Sequence, residues 1–303
     1  MEIYADYAAT TPVKPEVVDA MMTIYNSHYE QLEREGFDVT YLDVDDTGAI
    51  DLDQLEETIT DKTILVSIMF VNNEVGTVQQ IYDVQDIIAE TNAYFHVDAV
   101  QAIGHLDVKF DEFEIDAMSI TAHKFGGPKG VGALLVKDHV TLDYPQLGGE
   151  QELKRRAGTE NLAQIVGMAK ALQLAEKNRD DNNIHLMNLK EQFLVKLQER
   201  AIPFELNGSM TDATGHIVNL YFPFVEVETM LTLLDMAQIY VSSGSACTAG
   251  STQPSHVLDA MFEDEERSNH SIRFSFNELT TENEINAIVA EIHKIYFKFK
   301  EES

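Results

Sequence analysis

The chain is short of three things: thiols, basic residues and long apolar runs. Cys247 is the one cysteine among 303 residues. A single thiol excludes an internal disulfide and, alone, cannot cage a metal. It suits a reducing compartment, so a cytoplasmic location is expected. Lysine and arginine number 21 against 52 aspartate and glutamate, a net charge of −31. A field of that sign repels phosphate backbones, so direct nucleic-acid binding is not expected. It favours solubility and basic partners. No apolar run reaches the roughly 18 residues of a membrane helix, so no membrane association is expected. The opening Met1-Glu2-Ile3-Tyr4-Ala5-Asp6 has neither a basic nor an apolar signal region, so no secretory signal is expected. There is no internal repeat and no low-complexity segment.

What is present is ample core material. Hydrophobic residues make up 44% of the chain, enough for one large domain or two ordinary ones. Apolar runs of strand length alternate with helical periods. Helices are predicted over residues 14–26, 52–59 and 81–90, the second capped by Asp51. Strands are predicted over 63–70, 93–97, 117–121 and 130–136. The first is continuously apolar, as in a parallel sheet covered on both faces. This rhythm argues for an α/β layer domain with a mainly parallel sheet. The second half reads as helices over 161–177 and 184–200, a strand over 216–222, a helix over 226–235, and strands over 238–242 and 271–276. Thr281-Glu282-Asn283-Glu284 fits a capping box that opens the last helix. The polar run Arg179-Asp180-Asp181-Asn182-Asn183 suggests a boundary. The expected division is a large domain over 14–178 and a smaller α+β domain from 1–13 with 179–303.

Several residues could carry chemistry. Lys124 follows a predicted strand and precedes Phe125-Gly126-Gly127-Pro128. A lysine there is ordinarily a solvated loop residue. However, Thr121 and His123 lie two apart, on one side of the chain, and could both donate to one anion. The glycines let backbone approach a ligand. A desolvated lysine can then form a Schiff base. Asp98 ends the apolar run Tyr94-Phe95-His96-Val97. It reads either as a capping aspartate or as a carboxylate that holds a protonated ring nitrogen. Asn72-Asn73-Glu74-Val75-Gly76 follows another strand and reads as a polar turn, or as a place where Asn73 meets a ligand. All three motifs fall at C-terminal strand ends, where open α/β sheets bind ligands. Cys247 lies among small residues, Ser242-Ser243-Gly244-Ser245-Ala246-Cys247-Thr248-Ala249-Gly250. Such a stretch packs no core, which predicts an exposed thiol able to act as a nucleophile. Arg273 alternates with Ile272 and Phe274 along a strand; it reads as a solvated charge or as a clamp on a carboxylate.

Together these motifs resemble the NifS-like cysteine desulfurases of the class-V aminotransferase group. The resemblance rests on Ala5-Asp6-Tyr7-Ala8-Ala9-Thr10-Thr11-Pro12, Asn72-Asn73-Glu74-Val75-Gly76, His96-Val97-Asp98-Ala99-Val100-Gln101 and Thr121-Ala122-His123-Lys124. Further matches are Arg156-Ala157-Gly158-Thr159-Glu160-Asn161, Ser242-Ser243-Gly244-Ser245-Ala246-Cys247 and Pro254-Ser255-His256. It implies the fold-type-I architecture of pyridoxal 5'-phosphate (PLP) transferases. Lys124 would bond the cofactor, Asp98 would pair with its ring nitrogen, and Gln101 would contact its ring oxygen. Asn73 would contact cofactor or substrate, while Thr121 and His123 would bind phosphate. Thr159 would reach the phosphate of the partner subunit in a homodimer. Arg273 would hold the carboxylate of L-cysteine. Cys247 would take the sulfur as a persulfide and pass it to an acceptor, either an iron–sulfur scaffold or a tRNA-thiolation enzyme. No resident metal is implied, although Cys247 would transiently contact an iron–sulfur cluster on such a partner.

The match is interrupted once. Asn26-Ser27-His28-Tyr29 runs directly into Glu30-Gln31-Leu32-Glu33, where the family carries a long segment. That segment holds a Gly-Ala-Thr phosphate loop and a histidine that stacks on the cofactor ring. The interruption keeps two other readings open. One is an impaired homologue that serves as a binding protein. The other is a different class-V enzyme, such as a transaminase or a selenocysteine lyase.

Overall fold

The computed structural model describes residues 33, 36–142, 148–244 and 255–302. The predicted helix at 14–26, the interruption after Tyr29 and Cys247 lie outside these residues. The chain divides into two units, Met1–Tyr41 and Leu42–Ser303, and the second holds both sheets.

The first sheet has the order β1 (Leu65–Met69), β2 (Tyr94–Asp98), β3 (Ala117–Thr121), β4 (Gly132–Val136). The first three strands run parallel and β4 is antiparallel to β3. Helix α1 (Leu52–Thr58) starts at Asp51, whose side chain accepts from Gln54 N at 2.9 Å, as the sequence predicts. Helix α2 (Ile81–Ile88) links β1 to β2 and buries Ile81, Val84 and Ile88, one apolar stripe. That stripe packs with Phe95, Val97, Met118 and Ile120 in the first core.

The expected burial of β1 on both faces is not met. Val66 and Ile68 are buried, but Leu65 is 48% exposed. Leu65 and Ser67 share the face opposite Val66 and Ile68, and that face is exposed at both positions.

The two helices predicted over 161–177 and 184–200 are one, α3 (Leu162–Glu199), of 38 residues. The polar run inside it does not break the helix, and Arg179 and Asn183 within it reach the turn at 105–107. Arg179 Nη1 donates to Asp107 at 2.8 Å and to Glu176 at 2.9 Å. Asn183 donates to the carbonyl of His105. Its first half contributes Met168 to the first core, and its second half contributes Leu186, Leu189, Phe193, Leu194 and Leu197 to the next.

The second sheet is antiparallel, in the order β5 (Glu205–Asn207), β6 (Ile217–Tyr221), β7 (Ser271–Ser275). It packs with α3, with α4 (Val227–Met236) and with α7 (Glu282–Glu302). Phe193 meets Phe274 edge-on at 4.9 Å. The strand predicted over 238–242 reduces to one bridge, in which Ser242 and Arg273 exchange both backbone hydrogen bonds. Two short helices lie between, α5 (His256–Phe262) and α6 (Glu265–Asn269). Helix α7 opens on the expected capping box: Thr281 N donates to Glu284 Oε2 at 2.7 Å and Glu284 N to Thr281 Oγ1 at 3.3 Å.

Candidate active site

Three turns at the C-terminal rim of the first sheet present the candidate residues. After β2, the Asp98 carboxylate accepts from Val100 N at 2.9 Å, and Ala102 N closes on Ala99 O at 3.0 Å. This turn carries Gln101, which is buried. After β3, a single 3-10 turn (Ala122–Lys124) carries His123 and Lys124. It is closed by Gly127 N donating to Ala122 O at 2.8 Å. A Cβ on Gly127 would lie 2.8 Å from the Ala122 Cβ, so only glycine permits this close approach. After β1, Asn72 Oδ1 accepts from Glu74 N at 2.8 Å and Val75 N at 3.0 Å. That Asx turn sets out Asn73.

Arg273 arrives from the other sheet. It is only 8% exposed, so the solvated-face reading of this residue is corrected. Its Nη1 donates to Asn73 O at 2.9 Å and so ties β7 to the turn after β1. Between the two sheets lies a cleft of about 550 Å³, lined by Asn73, Gln101, His123, Lys124 and Arg273 among others. A smaller hollow of about 270 Å³ holds Tyr94 and Asp116, at the opposite end of the strands, and none of the candidates. Ligands of open α/β sheets bind at the C-terminal rim, which favours the larger cleft.

Asp98 and Thr121 stand half-buried at the ends of adjacent parallel strands, outside the cleft lining. Asp98 is paired in register with Ser119, and Thr121 Oγ1 donates to Val131 O at 3.4 Å. Thr159 is exposed and lies away from this cleft. Cys247 lies outside the described residues.

The cleft also holds residues that no motif announced. His105 and His216 stack face to face, with ring centroids 3.7 Å apart and planes within 3°. His216 Nε2 lies 3.5 Å from Gln101 Oε1. The buried Nδ1 atoms of both histidines have no hydrogen-bond partner among the described residues. Burial pushes the His216 imidazole well below its ordinary range, and His105, Lys124, Lys190 and Arg273 push the same way. Burial also lowers His105, against the opposing influence of Asn183 and Glu278. Desolvation first, then Lys124 and Lys129, lowers His123. Behind the pair, buried Lys190 donates to Thr214 O at 3.4 Å, and burial alone brings its amine to about 8. On the sheet itself, His96 bridges Ser67 and Ser119 at 2.8 Å each, a polar ladder across β1, β2 and β3.

A chain of net charge −31 thus gathers an amine, a guanidinium and imidazoles around one concavity. Such a donor set fits an anionic ligand that bears phosphate or carboxylate. Lys124 and Gln101 line this cleft, Asp98 ends the adjacent strand outside its lining, and an amine beside such an anion-binding donor set is what a pyridine aldehyde phosphate needs. PLP therefore fits the residues present.

The sequence model of the family described as Aminotransferase class-V matches residues 27–288. The chain belongs to that family. IscS 1 of Bacillus subtilis (strain 168) is 50% identical over 248 residues, 82% of this chain and 65% of that protein. Cysteine desulfurase IscS of Clostridium botulinum (strain Hall) is 43% identical over 274 residues, 90% of this chain and 69% of that protein. The chain thus spans about two thirds of the length of these class-V relatives. Among solved structures, a NifS-like protein superposes with a TM-score of 0.81 at 33% identity, covering 94% of this chain and 73% of its own. The fold is therefore that of the NifS-like PLP enzymes, with a mostly parallel main sheet and a smaller antiparallel one.

Proposed function

We propose that the chain is a PLP-dependent cysteine desulfurase that takes sulfur from L-cysteine onto Cys247 and leaves L-alanine. The observation that carries this reading is the convergence of Lys124 and Arg273, from different sheets, on one cleft. Lys124 is exposed at the cleft, not desolvated, and an amine facing a carboxylate clamp is what an amino-acid substrate requires. The family membership supports the same assignment.

The residues divide the work. Bound PLP supplies an electron sink for the amino-acid carbon skeleton. Lys124 would hold the cofactor through its Nζ and would move the α-proton of the substrate. Asp98 would keep a proton on the ring nitrogen, and Gln101 would contact the ring oxygen. Thr121 and His123 would bind the phosphate. Asn73 and Arg273 orient the substrate, the guanidinium gripping its carboxylate. The Cys247 thiolate attacks the substrate sulfur. A sulfur–sulfur bond forms as the carbon–sulfur bond breaks, and the carbon fragment takes a proton and leaves as alanine. The persulfide then passes to an acceptor protein, an iron–sulfur scaffold or a tRNA-thiolation enzyme.

The wider reading is a cytoplasmic homodimer in which Thr159 completes the partner subunit's phosphate site. It has a large domain over 14–178 and a small one over 1–13 with 179–303. Among the described residues, no helix is long and apolar enough to cross a membrane.

The test is titration with PLP, followed by a sulfide assay with L-cysteine. Visible cofactor absorbance is expected to saturate, and to be lost in Lys124→Ala. Cys247→Ser is expected to keep the absorbance and to lose essentially all sulfide release. Full sulfide output from Cys247→Ser would point instead to a lyase that needs no protein thiol. Absence of any Lys124-dependent absorbance would leave a binding protein.

A further inference from the structure

His216 has no part in the roles above, yet it is held in place on every side. It stands immediately before β6, and its carbonyl accepts from Phe276 N at 2.8 Å. Gly215 before it lies hard against α3. A Cβ there would sit 2.6 Å from Met187 N, so only glycine allows the approach. The ring plane is set as well. His105 stacks on it with centroids 3.7 Å apart and planes within 3°. His105 is itself tethered: its N–H donates to Ala102 O at 3.0 Å, and its carbonyl accepts from Asn183 of α3.

With backbone and plane fixed, the edge of the His216 ring meets Gln101, and Nε2 lies 3.5 Å from Oε1. Burial keeps this imidazole neutral, so it carries one N–H. Its Nδ1 is buried and has no hydrogen-bond partner among the described residues, whereas Nε2 has an acceptor in reach. The proton therefore belongs on Nε2, because the tautomer follows the hydrogen bond the ring can make. A donor at Oε1 settles the Gln101 amide. With its oxygen engaged by His216, its NH2 group is left to donate into the cleft that Gln101 lines. The ring oxygen of a bound pyridine aldehyde is an acceptor. The reverse amide orientation would set two oxygens against each other.

We infer that His216, in its Nε2–H form, is a positioning residue that fixes the Gln101 amide so that its NH2 donates to the cofactor's ring oxygen. The cofactor role rests on the desulfurase reading; the His216–Gln101 contact does not.

The contact is tested on the cofactor-free chain. In NMR of the chain carrying nitrogen-labelled histidine at neutral pH, His216 is identified by the signal that His216→Leu deletes. Its ring-nitrogen shifts are expected to be those of the Nε2–H tautomer. An Nδ1–H tautomer or an imidazolium overturns the proposal. Titration with PLP then asks whether His216 acts through Gln101. His216→Leu and Gln101→Leu are each expected to raise the PLP dissociation constant about tenfold, the effect of one hydrogen bond lost at a charged oxygen. The double variant is expected to show about the same tenfold rise, because the second change has nothing left to remove. His216→Gln, which keeps an N–H donor, is expected to bind within about twofold of wild type. A merely structural residue would add its own loss, so a rise of about a hundredfold in the double variant overturns the proposal. If His216→Leu does not fold by circular dichroism, His216→Asn, whose amide is too short to reach Gln101, takes its place in both measurements. An Nε2–H tautomer in a wild-type chain that shows no Lys124-dependent absorbance upholds the contact and overturns its cofactor role together with the desulfurase reading.

Discussion

Buried Lys190 is the residue whose chemistry departs furthest from its surroundings. Its amine falls from 10.5 to about 8 because burial penalises the ammonium. The folded chain then binds fewer protons than the unfolded one between these values. Stability is whole above pH 10.5, declines as pH falls towards 8, and at neutral pH is lower by about 3 kcal/mol. Lys190→Met is expected to recover about 1–3 kcal/mol at pH 7, read as a higher urea midpoint, and to gain nothing above about pH 10.5. The stacked His105 and His216 act in an acid window. Both are depressed below 6.5, so their contribution is intact above that pH and is lost as pH falls below it. His216→Leu is expected to flatten the acid limb of a stability–pH profile below pH 6.5, measured by denaturant titration at successive pH values. Neither group was legible in the sequence. Lys190 looks like any helical lysine, and His216 stands at the start of a predicted strand. What sets them apart is burial, which arises only when α3 packs beside β6.

At the scale of elements, local chemistry was readable wherever a residue acts on near neighbours. Asp51 caps α1 and Thr281 pairs with Glu284 at the start of α7, as their spacing predicts. Thr281→Ala is expected to cost about 1 kcal/mol, visible as a lower thermal midpoint. The strand-end motifs were readable for the same reason, since a turn residue sits directly after its strand. Arg273 required the second sheet to fold against the first, so its alternating strand pattern suggested solvent. The break expected near residue 180 had a physical basis too, because Asp and Asn disfavour helix interiors. The pairing of Arg179 with Asp107, remote in sequence, lies within the unbroken helix and could not be seen in advance. In the second core, Phe193 meets both Phe274 and Phe276 edge-on. Phe193→Ala is expected to cost about 3–5 kcal/mol in denaturant unfolding, by removing the ring from between helix and sheet.

For the whole molecule, the acidic surface and the unbroken α3 set the behaviour. A net charge of −31 opposes compaction, so added salt is expected to raise the melting temperature. A melting temperature independent of salt would show that the charges lie too far apart to matter. Helix α3 has a further consequence. At about 1.5 Å per residue its 38 residues form a strut of roughly 57 Å, rooted at one end beside the parallel sheet and at the other beside the antiparallel one. Neither half can melt without tearing away part of the other's support, so calorimetry should register a single heat-absorption peak. A proline at Asp181, midway along the strut, would sever that mechanical link, and the peak should split in two.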